Sequence, residues 1–162
     1  MTVRFRRLRR GAGAPAPRRR RRLAIVTCMD CRIDPLVAAG LEIGEAHIIR
    51  NAGAVVTADV RRSLALSQRA LGTVEVWIIK HTDCGVLGLD DDQFLDQIED
   101  EVGMRPDWEP GGFDSLETGV REGIGRVRGD SSLTASTVRG FVLDVETGAM
   151  TEIDVDVPDP AR

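Results

Sequence analysis

Long apolar runs are missing from this chain. Its most hydrophobic stretches, such as residues 74–79, fall far short of the ~20 residues that cross a bilayer, so no membrane association is expected. The basic N-terminus is not followed by an apolar segment long enough for a secretory leader, and no export is expected either. Cysteine is scarce and odd in number, three in 162 residues. That argues against a disulfide framework and for metal or redox chemistry in a reducing cytoplasm. Acidic residues are absent from residues 1–22, which hold ten arginines: Arg4, Arg6, Arg7, Arg9, Arg10 and the run from Arg18 to Arg22. All 26 acidic residues, and only 12 of the 22 basic ones, fall in the remainder. An acidic body does not attract nucleic acid, and any such binding would fall to the arm alone.

The arm has little to bury and like charges that repel, so it reads as a disordered extension, with a shifted start codon as a plain origin for it. Residues 23–162 remain as one domain, and a chain of this length buries a core without covalent staples. Within it, 23–28, 46–50 and 74–79 are short apolar runs rich in β-branched residues and read as buried strands. Residues 59–71 carry Val60, Leu64, Leu66, Ala70 and Leu71 at helical spacing, with Gly72 placed to end the helix. Residues 90–102 and 114–127 read as helices, although Gly119, Gly123 and Gly125 weaken the second. Residues 139–146 and 151–157 flank Thr147-Gly148 and suggest an antiparallel hairpin. The fold class is therefore α/β: a three-layer-like domain with a mainly parallel central sheet, about four parallel strands plus an antiparallel edge strand, flanked by helices. Ligands of such folds gather at the carboxyl ends of the strands.

Three zinc-competent residues stand at those ends. Cys28 closes the first strand, and His81 and Cys84 follow the third. His-x-x-Cys lets one tight loop offer an imidazole and a thiolate to the same ion, and a cysteine from a neighbouring parallel strand adds a third ligand. Three protein ligands leave one position of a tetrahedron open, the pattern of a catalytic zinc. Two thiolates donate more charge than imidazoles, so forming hydroxide on the metal needs help from nearby groups. Asp30 and Arg32, just past Cys28, can give it. In an extended segment they point the same way; the carboxylate can orient a hydroxide or swing onto the metal and shut the site, and an arginine fork opposes that swing.

Cys28-Met29-Asp30-Cys31-Arg32, Arg50-Asn51-Ala52-Gly53 and His81-Thr82-Asp83-Cys84-Gly85 resemble the three signature segments of the β-class carbonic anhydrases, in that family's order. The chain is especially similar to the short bacterial members. The resemblance implies one Zn²⁺ per subunit on Cys28, His81 and Cys84, an Asp30–Arg32 dyad, and hydration of carbon dioxide to bicarbonate and a proton. It also implies a homodimer or a dimer of dimers. Backbone N–H groups near Gly85 are candidates to receive a substrate oxygen. Related chemistry on carbonyl sulfide or carbon disulfide stays open.

Other residues read more blandly. His47 lies inside a strand and is structural, Asn51-Ala52-Gly53 is a turn, and Asp83 caps the ligand loop. Cys31 stands where the family has a small residue, which creates Cys28-x-x-Cys31 and a rival reading as a thiol–disulfide oxidoreductase. That reading leaves His81 and Cys84 without a purpose, and Asp30 between the cysteines opposes a low thiol pKa. A non-catalytic zinc protein, closed permanently by Asp30, is the remaining alternative. Residues 1–22 do not resemble the family's N-terminal helices, which wrap the partner subunit and often bring a glutamine to its cleft.

Overall fold

A computed structural model describes residues 21–154. The arginine-rich arm, apart from Arg21 and Arg22, lies outside the described residues; the last strand ends at Glu152, short of the expected 157, and residues 155–157 also lie outside the described residues. Strand β1 (Leu23–Cys28) is buried along its whole length, because parallel neighbours flank it on both sides: β2 (Ala46–Asn51) and β3 (Glu75–His81). Strand β4 (Thr137–Leu143) runs parallel to β3, and β5 (Met150–Glu152) closes the sheet antiparallel to β4. The order is β2-β1-β3-β4-β5. Four parallel strands and one antiparallel edge strand match the expected architecture.

Alternate residues of the central strands feed two cores. On one face Ala24, Val26, Val76, Ile78 and Val138 meet α2 (Ala58–Arg69) through Val60 and Leu64, and α4 (Leu116–Arg128) through Val120, Ile124 and Val127. On the other, Leu23, Ile25, Trp77, Ile79, Phe141 and Leu143 pack with Ile33, Leu41 and Phe113. The four-residue α1 (Pro35–Ala38) adds Leu36 there. This second face is thus covered mainly by coil and one short helical turn that the sequence pattern does not reveal. Helix α3 (Asp91–Val102) buries only Leu95. Thr57, Asp90 and Ser115 cap α2, α3 and α4 by accepting from the first-turn N–H groups of Val60, Gln93 and Thr118.

The glycines of α4 have a packing reason. A Cβ at Gly119 would stand 2.5 Å from Lys80 Cε and 2.9 Å from Phe113 Cγ, and one at Gly123 3.0 Å from Ile78 Cγ2. Their absence lets the helix lie close on β3. Strand β3 runs two residues further than the apolar pattern suggests, because Lys80 and His81 continue the ladder opposite Val142 and Leu143. That extension carries His81 to the carboxyl edge of the sheet, beside the end of β1. No helix among the described residues is long and apolar enough to cross a membrane.

Candidate metal centre

Cys28, His81 and Cys84 converge at this edge. One donor atom from each lies within 4.8 Å of the other two, and all three residues are buried. Both cysteines are free thiols. Burial pushes the Cys84 thiol above its ordinary value, and the neighbouring Cys28 adds to the effect; a cation placed between them would reverse it. His81 is oriented by its own loop. Its Nδ1 lies 2.8 Å from the carbonyl oxygen of Thr82, so Nδ1 carries the proton and donates it there. Nε2 is left buried with a lone pair and no hydrogen-bond partner among the described residues. An unsatisfied buried nitrogen is costly, and beside two cysteine sulfurs it fits a metal ion of the zinc type. The donor set therefore suits Zn²⁺.

The loop after β1 turns sharply rather than extending. Ile33 N–H donates to the Asp30 carbonyl at 3.2 Å, so Asp30 and Arg32 do not meet by strand alternation. They meet because the Arg32 guanidinium folds back: Nε donates to Asp30 Oδ1 at 3.0 Å and Nη2 to Oδ2 at 2.7 Å, while the Arg32 backbone N–H donates to Oδ1 at 2.9 Å. This fork holds the Asp30 carboxyl well below the usual carboxylate range. Asp30 Oδ2 stands 4.0 Å from His81 Nε2, so the carboxylate borders the donor set. Cys31 is exposed and lies outside the three-donor group. Gly85 follows Cys84 in open space, where an added Cβ would meet nothing within 4 Å.

Two residues near the site escape the sequence reading, and a third has another role than expected. Arg50 donates from Nε to the Cys28 carbonyl at 2.9 Å and from Nη2 to the Asp30 carbonyl at 2.6 Å, tying the ligand segment to β2. Its place in the second signature segment was the only sequence signal. Lys80 is 3% exposed and donates from Nζ to the Gly53 carbonyl at 2.6 Å, with its ammonium 3.6 Å from the centre of the Phe113 ring. Asp83 does not act as a loop cap: its carboxylate accepts from Arg32 Nη1 at 2.5 Å. The turn at 51–53 is as expected, with Asn51 bonded to both backbone groups of Val55 and Gly53 at φ +66°. His47 is structural, its Nδ1 2.7 Å from Ser67 Oγ.

Comparison with known proteins agrees with this geometry. The family profile for carbonic anhydrase matches residues 23–104. Beta-carbonic anhydrase 1 of Mycobacterium tuberculosis is 49% identical over 132 residues, 81% of each chain. The crystal structure of carbonic anhydrase from Streptococcus mutans superposes with a TM-score of 0.78 at 38% identity, covering 83% of this chain and 82% of that one. A carbon disulfide hydrolase of Saccharolobus solfataricus is 45% identical over 94 residues, 56% of this chain and 45% of the hydrolase. On the fold, the three converging donors and these likenesses together, the chain belongs to the β-class carbonic anhydrases.

Proposed function

We propose that this carbonic anhydrase is a zinc enzyme in which Cys28, His81 and Cys84 hold the metal and Asp30, fixed by Arg32, serves the reaction. The observation that carries this reading is the buried His81 Nε2, without a hydrogen-bond partner among the described residues and facing two free cysteines. Zinc bound there would supply a Lewis acid that lowers the pKa of water from about 15.7 to about 7. The protein's own groups then do three things. Asp30, kept ionised by Arg32, accepts a hydrogen bond and orients the nucleophilic oxygen toward carbon dioxide. Arg32 keeps that carboxylate off the metal. The open space over Gly85 leaves room for a substrate oxygen near backbone N–H groups.

The reading extends to residues 23–162 as the catalytic unit and to a homodimer or dimer of dimers in the cytoplasm. Strand β2 supports the assembly, since β1 is its sole strand partner among the described residues and its outer edge is free to meet a second copy. Metal analysis and a carbon dioxide hydration assay on one preparation test the proposal. About one zinc per chain with turnover is expected; zinc without turnover at any pH would leave only the non-catalytic role. The likeness to a carbon disulfide hydrolase favours a second substrate class, and carbon disulfide assayed in parallel decides it.

A further inference from the structure

We propose that Asp83 is a positioning residue for the Asp30–Arg32 dyad, anchoring the guanidinium from the opposite ligand loop so that it presents a fixed edge to Asp30. The inference rests on the reading of Asp30 and Arg32 given above and adds to it the group that holds Arg32 itself.

The geometry separates the two carboxylates cleanly. Arg32 Nε and Nη2 face the two oxygens of Asp30 at 3.0 and 2.7 Å. Nη1 donates to Asp83 Oδ2 at 2.5 Å, and Nη2 also donates to the Asp83 carbonyl at 2.9 Å. A guanidinium carries five N–H groups in a rigid fork, and these four contacts use four different hydrogens. Asp83 therefore does not draw Arg32 away from Asp30. It occupies the far side of the fork and blocks rotation of the group about its own axis.

Two further features give the contact a purpose. Arg32 belongs to the loop after β1 and Asp83 to the loop after β3, between His81 and Cys84, so the guanidinium spans both ligand-bearing segments. Asp83 also adopts a left-handed backbone at φ +54°, a conformation that aspartate tolerates better than most residues. There its carbonyl and its carboxylate both reach Arg32. With Asp30 as its only anchor, Arg32 could follow the carboxylate as it moved. Anchored across the site, it cannot, and Asp30 Oδ2 is kept at its 4.0 Å stand-off from His81 Nε2. The pair is open to solvent, with the Asp83 side chain 79% and the Arg32 side chain 44% exposed. Exposed pairs add little to stability, so the loss should be felt in orientation rather than in folding.

The test uses the full-length zinc protein as wild type, Asp83→Ala, Asp83→Asn, Arg32→Ala and the Asp83→Ala/Arg32→Ala double variant. Each is read for zinc content, for kcat and KM of carbon dioxide hydration, and for the visible spectrum after cobalt substitution. Asp83→Ala should keep its zinc and lose kcat by roughly tenfold with KM little changed, between the small effect of an exposed pair and the large one of a displaced catalytic group. Its cobalt bands should move toward those of Arg32→Ala, reporting a changed fourth ligand. Asp83→Asn, which still offers an oxygen to Nη1, should recover part of the loss, and it also decides the matter if the alanine variant fails to fold. In the Arg32→Ala background, removing Asp83 should do nothing more. Wild-type kcat in Asp83→Ala, or an equal loss in both backgrounds, would overturn the proposal. Wild-type kcat in zinc-loaded Arg32→Ala would instead sink the dyad reading beneath it.

Discussion

His81 shows how one side chain can be committed at both ends. Its Nδ1–H is spent on the Thr82 carbonyl, which fixes the tautomer and aims the Nε2 lone pair at Cys28 and Cys84. Replacing either His81 or Cys28 by alanine should abolish stoichiometric zinc binding, measured by atomic emission on dialysed protein; a Cys28→Ala variant that keeps one zinc per chain would refute the donor set. Asp30→Asn should behave differently. The amide keeps the volume and loses the charge, so zinc should stay near one per chain while stopped-flow hydration falls by about 100-fold or more. Near wild-type turnover would remove Asp30 from the reaction. At this scale the sequence is legible where chemistry demands particular residue types at fixed spacing, as with Cys28, His81 and Cys84, which the structure brings together. It is mute where a side chain works through backbone carbonyls. Arg50 grips the Cys28 and Asp30 carbonyls, and nothing in the residue types of its targets records that.

Among the elements, α4 is where composition misleads. Three glycines in thirteen residues argue against a helix on propensity alone, yet the helix forms, because two of them are the price of close approach to β3. Tertiary packing outweighs intrinsic preference, and the glycines differ in kind. Gly119→Ala would press a methyl onto Lys80 Cε and the Phe113 ring, both held in place by neighbours, and should destabilise by about 1–3 kcal/mol. Gly125 has nothing within 4 Å of an added Cβ, so Gly125→Ala should stabilise by up to ~1 kcal/mol through helix propensity. Urea unfolding of the two variants checks the opposite signs; two changes of the same sign would mean that packing does not distinguish the sites. Strands β1 and β3 were legible because burial on both faces makes them continuously apolar, whereas β2, expected to be buried, is only partly so and exposes Arg50. Helix α1 was not, since Asp34 capping a four-residue turn leaves no periodicity to read.

Across the whole molecule, the sheet's two cores meet the metal site at one buried cation. Lys80 lies in β3 next to His81, with its ammonium against the Gly53 carbonyl and over Phe113, so it joins the 52–54 turn, the sheet and the loop before α4. No ion pair accompanies it among the described residues. A lysine after an apolar run reads as the solvated end of a strand; its burial arises only because β4 extends beside it and Gly119 leaves it room. Removal from water lowers its pKa from 10.5 to about 8. Between those values the unfolded chain binds more protons at this site than the folded one, so stability rises with pH. The contribution is complete above the unfolded value of 10.5 and is lost as pH falls through about 8. The span corresponds to about 3 kcal/mol. Other groups titrate in the folded and unfolded chain alike, so the measurement is a difference. Metal-free wild type and Lys80→Met, unfolded in urea at intervals from pH 7 to 11, should diverge in slope, with the rise present in the wild type and missing in the variant. Parallel curves would mean that Lys80 keeps its proton in the folded protein.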